Sequence, residues 1–367
     1  MNTMKILIAP LMTADKSDAA YLITRTLSDL FSSRQHGVAI STSRAHSVAS
    51  AALYEAANPV RPRFAHKDVY SYEEWLYSLG ALSKDYLEDD LAYLLKAIDE
   101  YRPDLIIALD RPAALIAART KKIACLPIVN SLMYRTASFP VKLLQPLNQI
   151  LSAQDFEQVF RVSDLYDYAK QRVVFGAIQV QPMPFDADVQ RFGTVSSIPA
   201  VSKNSRNVYV YLHAVHKKPA ALKKILVDTF KGAPYEIYAS IEGADAEKID
   251  NIHFLSRHRD DWMRQCAVCI HDGNDYITDI CCASATVQLI ITDHRYGRTS
   301  NALAARRYGF GLMSDENELK VSSLYENYRR LVSDEKYQNN AFIIRDEVIS
   351  LGDFDDFYRF VILNFRR

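Results

Sequence analysis

The stretch Asp104-Leu105-Ile106-Ile107-Ala108-Leu109 follows Arg102-Pro103 and carries five consecutive apolar residues. A strand that is apolar on both faces is typical of a parallel sheet covered by helices on each side. The apolar spacing over 113–121 then predicts a helix. A strand followed by a helix is the repeating unit of α/β folds, so this stretch decides the fold class.

The rest of the first half repeats this alternation of strand and helix. The apolar patterns predict further strands and helices, so we expect a domain built on a parallel sheet. The predicted strands are 5–9, 36–41 and 123–130, and the predicted helices are 18–34 and two within 72–101.

The second half restarts the same pattern after a polar stretch at 194–207 that lacks apolar periodicity. Its predicted strands are 208–212, 235–240, 252–255, 266–270 and 287–291, and its predicted helices are 218–230, 259–265, 275–283 and 299–308. A last aromatic-rich helix over 354–365 could pack on either domain.

These patterns predict an α/β protein with two Rossmann-like parallel-sheet domains that face each other across a cleft. The predicted boundaries are a first domain at 1–198, a linker at 199–207, a second domain at 208–352 and a C-terminal helix at 353–367. Open parallel sheets bind ligands beyond the carboxyl ends of their strands, so we expect the functional site there.

The balance of basic and acidic side chains argues against polyanionic partners. The 367 residues include 44 basic and 44 acidic side chains, so the formal net charge is zero. No global basic field attracts nucleic acid or an anionic membrane, and we expect neither as a partner.

The apolar run before Pro10 is too short for a signal peptide or a membrane span, and we expect no integral membrane segment. Five cysteines, an odd number, do not form the pattern of a disulfide-stabilised secreted protein. We therefore expect the protein to reside in a reducing cytoplasm.

The segment Cys269-Ile270-His271-Asp272-Gly273-Asn274-Asp275 places a turn between a strand and a helix. Free backbone N–H groups and the positive end of a helix at Asp275 suit a diphosphate, and His271 could donate a further bond. The alternative is an ordinary capped helix, because Asp275 can cap the helix itself and His271 can be satisfied in the core.

This segment, extended to Thr278, resembles the donor loop of the GT-B glycosyltransferases, normally His-His/Ala-Gly-Gly-x-Gly-Thr-Thr; its start is kept and its glycines are not. Residues 287–291 stand where that family has Val-Pro-x-Leu-Val. Residues 297–302 and 308–311 resemble its Asp-Gln-x-x-Asn-Ala and Leu-Gly-x-Gly elements, with Gly297-Arg298 in place of Asp-Gln. Within that family, the sequence resembles the nucleotide-sugar-dependent group, which includes the antibiotic and UDP-glucuronosyl enzymes.

The resemblance implies a UDP- or dTDP-sugar bound in the second domain, an acceptor of unspecified kind in the first, and no cofactor. Residues 212–218 stand where the family has a Gly-Ser turn beside the phosphates, and 256–259 stand where it grips the nucleobase. A solvated basic turn and a surface run of arginines are the respective alternatives. The implied donor-binding residues are His213, His216, Arg257, His258, His271, Gly273, Asn274, Asp275, Gly297, Arg298 and Asn301.

Inverting sugar transfer needs a base that reaches the acceptor hydroxyl. The family's catalytic histidine aligns with Lys16, and its orienting carboxylate with Asp110. Because an ammonium beside Asp110 stays charged, a Lys16–Asp110 pair would be structural. Asp15 and Asp18 remain as candidate bases, the alternative being that both complement a helix dipole.

Cys266 and Cys269, with His271, Cys281 and Cys282, are zinc-ligand types. Residues three apart on a strand point to opposite faces, so we predict buried thiols and no metal site. The sequence also has no phosphate-binding P-loop and no Gly-x-Gly-x-x-Gly after the first strand, which argues against a nicotinamide enzyme.

The expected function is therefore an inverting glycosyltransferase, with a homodimer as a further expectation. The alternative is a catalytically inactive GT-B homologue that acts as a binding or partner subunit. If side chains replace the missing loop glycines, His271→Ala and Arg298→Ala should each weaken nucleotide-sugar binding, and rising salt should weaken it further.

Overall fold

The protein was analysed as a computed structural model that describes residues 3–12, 19–42, 51–62, 69, 71–135, 139–198, 206–293 and 297–366. The chain forms two compact units. The first contains Met1–Phe175, Met183–Phe192 and Asp355–Arg367, and the second contains Gly176–Pro182 and Gly193–Phe354.

The first unit is a seven-stranded parallel sheet in the order β3-β2-β1-β4-β5-β6-β7. Its strands are β1 (Lys5–Pro10), β2 (Gly37–Ser41), β3 (Ala52–Tyr54), β4 (Leu105–Leu109), β5 (Ala124–Ile128), β6 (Val173–Phe175) and β7 (Gln190–Phe192). Its helices are α1 (Ala19–Ser33), α2 (Tyr72–Leu79), α3 (Lys84–Tyr101), α4 (Pro112–Lys121) and α5 (Gln145–Ala153).

The predicted strand at 104–109 lies at the centre of this sheet, and every residue of β4 is buried. It pairs with β1 in parallel, with Pro10 opposite Leu109. The carboxyl ends of these two strands therefore lie side by side. The short strands β3, β6 and β7 were not predicted, because three-residue strands carry too little periodicity to be recognised. Helix α5 was not predicted either.

The second unit has seven strands in the order β10-β11-β9-β8-β12-β13-β14, and all its strand pairs are parallel except β10 with β11. The strands are β8 (Val208–Leu212), β9 (Ile237–Ile241), β10 (Glu247–Ile249), β11 (Ile252–Leu255), β12 (Val268–His271), β13 (Val287–Thr292) and β14 (Gly311–Asp315). The helices are α6 (Pro219–Phe230), α7 (Asp260–Met263), α8 (Asp275–Ala283), α9 (Arg298–Tyr308), α10 (Val321–Ser333) and α11 (Glu335–Ser350).

The two parallel-sheet α/β units confirm the predicted fold class. Most of the predicted linker, 199–205, lies outside the described residues. Residues 176–182 and 193–198 belong to the second unit, although the predicted boundary assigns them to the first half.

The last helix, α12 (Phe354–Phe365), closes the first unit. The Phe357 ring lies 5.1 Å from the ring of Phe175 and 5.5 Å from that of Phe192, and it also contacts Phe31. The aromatic residues that mark this helix in the sequence thus fill the space between α1 and the strands β6 and β7. None of the described helices combines the length and apolarity needed to cross a bilayer.

Candidate functional site

The loop after β12 is organised from within by His271, whose side chain is fully buried. The Gly273 N–H donates to His271 Nδ1 at 3.2 Å, so Nε2 carries the ring proton and donates to Gln288 Oε1 at 2.9 Å. Burial lowers the pKa of His271 to about 4, which keeps the ring neutral. Both ring nitrogens are used inside the loop, which corrects the prediction that His271 donates to a phosphate.

Asp272 ties three elements of the second unit together. Its Oδ2 accepts from the backbone N–H groups of His213 and Ala214 at 3.0 and 2.8 Å, after β8. Its Oδ1 pairs with Arg298 Nη1, the first residue of α9, at 2.6 Å. Burial alone would raise the pKa of Asp272, but the Arg298 guanidinium, His271 and the His213 N–H together hold the pKa below its usual value. The sequence expectation did not include Asp272 among the site residues, although its place in the quoted loop was a usable signal.

Gly273 and Asn301 join the loop to α9. Gly273 has φ of +80°, and a Cβ there would lie 2.8 Å from the carbonyl oxygen of Arg298. A larger residue would be strained and would push α9 away. Asn301 Nδ2 donates to the Gly273 carbonyl at 3.0 Å and to Asp275 Oδ1 at 2.6 Å. Both are predicted donor-binding residues, and in the structure they hydrogen-bond to each other and join the loop to α9.

The beginning of α8 is capped by the protein itself. The side chain of Asn274 accepts from the N–H groups of Tyr276 and Ile277 at 3.0 and 3.3 Å. Burial raises the pKa of Asp275, which stands in the first turn. The structure therefore favours the capped-helix alternative, because two of the N–H groups predicted to hold a diphosphate already have an acceptor.

The two histidines after β8 differ in their surroundings. The His213 ring stacks on Tyr211 with 4.2 Å between centroids, and its nitrogens contact Glu242 and Ser240 at 2.9 and 2.8 Å. Burial lowers its pKa. The His216 side chain is 70% exposed, and its Nδ1 lies 3.2 Å from Glu316 Oε2. Only His216 is therefore open to a ligand from solvent.

The two residues predicted to contact the nucleobase, Arg257 and His258, differ in exposure. His258 is buried, with Nδ1 2.9 Å from the Tyr209 hydroxyl and Nε2 bonded to Asp260. Its neighbour Arg257 is exposed. Of this pair, only Arg257 offers its side chain to a ligand, since the imidazole is held in the core.

Arg298 is a predicted site residue that is only partly used by the protein itself. Gly297, with φ of +81°, begins α9 and places Arg298 beside the ends of β12 and β13. The Arg298 side chain is 16% exposed. Within the described residues, its hydrogen bonds all use Nη1, to Asp272 Oδ1 and to the Asp272 carbonyl at 3.2 Å. Its Nε and Nη2 make no hydrogen bond to a described residue, although the Asp293 carboxylate interacts with the guanidinium electrostatically.

In the first unit, Asp110 directly follows β4 in a left-handed backbone conformation, with φ of +55°. Its Oδ1 accepts from Asn130 Nδ2 at 3.4 Å, and its carbonyl accepts from the Tyr72 hydroxyl at 3.1 Å. The neighbouring β1 leads into 13–18, so Asp15, Lys16 and Asp18 lie outside the described residues.

All five cysteines are free thiols. Cys269, His271 and Cys281 come close enough for their ligand atoms to lie within 4.8 Å of one another, whereas Cys266 is not part of that group. Burial raises the pKa of the Cys281 thiol and that of Cys266, the latter to about 12. The Cys266 and Cys281 thiols are therefore protonated, and His271 uses both ring nitrogens for Gly273 and Gln288.

Comparison with solved structures identifies the fold to which this arrangement belongs. The chain is similar to the kitacinnamycin glycosyltransferase, with a TM-score of 0.72, 14% identity and 99% of each chain covered. It is also similar to the glycosyltransferase VinC solved in complex with dTDP, with a TM-score of 0.69, 13% identity and 98% and 99% covered. The chain has the GT-B glycosyltransferase fold.

A third structure, the spinosyn rhamnosyltransferase SpnG with thymidine diphosphate, has a TM-score of 0.70 at 12% identity and covers 98% of this chain and 100% of its own. No protein-family profile and no curated protein matches this sequence. The resemblance inferred from the order of the motifs is thus confirmed at the level of the fold.

Proposed function

We propose that this GT-B protein transfers a sugar from a UDP- or dTDP-sugar to an acceptor hydroxyl with inversion. The observation that carries the proposal is the Arg298 guanidinium, which the buried Asp272 orients at the carboxyl ends of β12 and β13. Two solved proteins of the same fold hold thymidine diphosphate. The carboxyl ends of parallel strands are where such sheets bind ligands.

In this proposal Arg298 binds the diphosphate, because its free N–H groups suit paired phosphate oxygens. His216 adds a second donor from the exposed loop after β8, and Arg257 stacks on or hydrogen-bonds the nucleobase. His271, Gly273, Asn274, Asp275 and Asn301 hold the loop in shape through their mutual contacts. His213 and His258 support the same edge of the sheet.

The proposed base is Asp18 or Asp15, with Asp110 as an orienting carboxylate in the first unit. Asp110 stands at the end of β4, next to the end of β1, from which the segment with both aspartates continues. A carboxylate that reaches the acceptor hydroxyl can take its proton as the sugar is transferred. We also propose that the protein resides in a reducing cytoplasm and forms a homodimer. Light scattering tests the homodimer.

Calorimetry with dTDP and UDP tests the donor site. We expect the wild type to bind at least one of the two, and Arg298→Ala to lose about tenfold or more in affinity, since a hydrogen bond to a charged group is worth about 1.5–3 kcal/mol. Arg306→Ala is the matched control, because Arg306 is exposed in the last turn of the same helix. Absence of binding at millimolar nucleotide would remove the donor site from the proposal.

A catalytically inactive binding subunit is the second candidate, and the self-capped start of α8 favours it, since the loop has lost its open backbone donors. Slow hydrolysis of a sugar nucleotide without acceptor separates the two. Hydrolysis that disappears in Asp18→Asn, with nucleotide binding retained, supports the enzyme. Binding without any hydrolysis in the wild type supports the partner subunit.

A further inference from the structure

A continuous chain of hydrogen bonds holds the loop between β11 and α7. The Arg259 N–H donates to the hydroxyl of Tyr209 at 3.0 Å. That hydroxyl lies 2.9 Å from His258 Nδ1, and His258 Nε2 bonds Asp260 Oδ1. The Tyr276 hydroxyl donates to Asp260 Oδ2 at 2.9 Å. The chain thus connects the loop to β8 and to the first turn of α8. Its four side chains are called the His258 network: Tyr209, His258, Asp260 and Tyr276.

The directions of these bonds agree with one another. A carboxylate only accepts, so Asp260 takes the protons of His258 Nε2 and of the Tyr276 hydroxyl. His258 Nδ1 is then the acceptor of the ring and takes the Tyr209 proton. Burial raises the pKa of Tyr209 well above its usual value, so its hydroxyl keeps that proton. The network is therefore polarised in one direction from the Arg259 N–H to Asp260, which strengthens each bond in it.

Aromatic rings fix the imidazole within this network. The His258 ring meets the rings of Tyr209, Tyr211 and Tyr276 edge-on, at interplanar angles of 83°, 87° and 84°. The three tyrosines are each at most 1% exposed, and His258 is 8% exposed. A buried polar network costs desolvation free energy that an apolar core avoids, so it is most useful where it fixes a geometry.

The geometry fixed here is that of the loop before α7 relative to the first turn of α8. On the loop, Arg257 is exposed, whereas the Arg259 guanidinium is held by the two oxygens of Asp261 at 3.0 and 2.8 Å. Helix α8 follows the turn whose Asp272 pairs with Arg298. The network therefore connects the element that carries Arg257 to the turn that holds Arg298.

We propose that the His258 network positions the nucleobase contact of Arg257 relative to the diphosphate contact of Arg298. Tyr209, Asp260 and Tyr276 are then positioning residues, which act through His258 and the loop. This inference rests on the proposed function, because it concerns the same donor site. A nucleoside diphosphate spans both contacts, and a loop that is already ordered loses less conformational freedom when the ligand binds.

A double-mutant cycle measured by calorimetry tests the proposal, with dTDP or UDP as the ligand, whichever the wild type binds. Tyr209→Phe keeps the ring and removes the hydroxyl that joins the Arg259 N–H to His258. We expect it to weaken nucleotide binding about three- to tenfold, the range for the loss of a typical hydrogen bond. In the Arg257→Ala background the same change should weaken binding by less than about twofold, because the loop then lacks the contact to be positioned.

Inorganic pyrophosphate and Tyr328→Phe are the two controls. Pyrophosphate has no base, so its affinity should be equal in the wild type and in Tyr209→Phe, whereas a general loss of structure would weaken it as well. Tyr328→Phe removes the hydroxyl of another buried tyrosine of the same unit, which hydrogen-bonds Tyr235. We expect this control variant to bind the nucleotide as the wild type does.

Hydrogen exchange of the Arg259 N–H, measured without nucleotide, tests the network by itself and should be faster in Tyr209→Phe than in the wild type. Nucleotide affinity in Tyr209→Phe equal to that of the wild type would overturn the proposal. Effects of Tyr209→Phe and Arg257→Ala that multiply in the double variant would also overturn it, because they would show that the two residues act independently. A wild type that binds neither nucleotide would remove the proposed function, and the role of the network in it, even where the exchange result shows that the network orders the loop.

Discussion

Each unit contains a buried aspartate–arginine pair, and the two pairs are built differently. In the first unit, Arg111 bonds Asp90 through Nε and Nη2 at 2.9 and 2.6 Å, and its Nη1 donates to the Ser41 carbonyl at 2.8 Å. Asp90 and Arg111 are 0% and 1% exposed. In the second unit, Arg298 bonds Asp272 through Nη1 alone and remains 16% exposed.

The difference separates a structural pair from a binding candidate. Arg111 directs all three nitrogens to Asp90 on α3 and Ser41 on β2 and uses four of its five N–H groups, so this buried side chain fastens these two elements to the start of α4. Arg298 is held by Asp272 through Nη1 alone, so within the described residues its Nε and Nη2 make no hydrogen bond. A buried ion pair is thus informative about function only when the donors it leaves unused are counted.

The largest effect should come from breaking the Asp90–Arg111 pair. Arg111→Met leaves the Asp90 carboxylate buried without its cation, and we expect a loss of about 3–5 kcal/mol in the free energy of unfolding. Urea denaturation measures it. The double variant Asp90→Leu with Arg111→Met should recover much of the loss, because an apolar pair replaces an ionic one. A single variant as stable as the wild type would show that water reaches this pair.

Asp279 extends the comparison to a buried aspartate held by a hydroxyl and an amide. Its Oδ2 accepts from Thr194 Oγ1 and the Val195 N–H at 2.6 and 3.1 Å, and burial raises its pKa to about 7. A carboxyl with a raised folded-state pKa binds its proton more tightly when folded, so its contribution to stability falls as pH rises from about 4 to about 7 and is constant above.

We therefore expect Asp279→Asn to stabilise the protein near pH 8 relative to the wild type, by at most about 4 kcal/mol, and to change stability little near pH 4. Urea denaturation at several pH values measures the difference. Asp228→Asn, in an exposed pair with Lys224, is the control. A pH dependence identical in Asp279→Asn and the wild type would show that Asp279 titrates normally.

Breaking the Asp272–Arg298 pair should reduce the free energy of unfolding by less. Arg298→Met removes one charge-assisted bond from Asp272, which keeps its two backbone donors at His213 and Ala214. We expect a loss of about 1.5–3 kcal/mol in urea denaturation, below that of Arg111→Met. A loss equal to or above that of Arg111→Met would mean that Arg298 is as structural as its counterpart, and it would weaken its proposed role toward the diphosphate.

The alternation of apolar strands and helices could be predicted because it is periodic and local, as β4 and β12 illustrate. The candidate site could be predicted only where its residues are neighbours in sequence. Asp90 and Arg111 are brought together by packing of α3 against α4, which Arg111 precedes, and Asp272 after β12 meets Arg298 after β13. Whether His271 points outward or into the core depends on Gln288 of the next strand, which no local pattern specifies.

The smallest predicted effect tests which group in the second unit would meet a phosphate. Asn274→Ala removes the acceptor from the N–H groups of Tyr276 and Ile277, which should cost about 1 kcal/mol in thermal or urea unfolding, and Asn274→Ser should restore most of it. The same change frees those N–H groups. If Arg298 is the main contact, calorimetry should give dTDP affinity within about twofold of wild type, a difference of at most about 0.4 kcal/mol. Affinity that rises about tenfold in Asn274→Ala would instead assign the phosphate to the start of α8, because only there does the substitution create new donors.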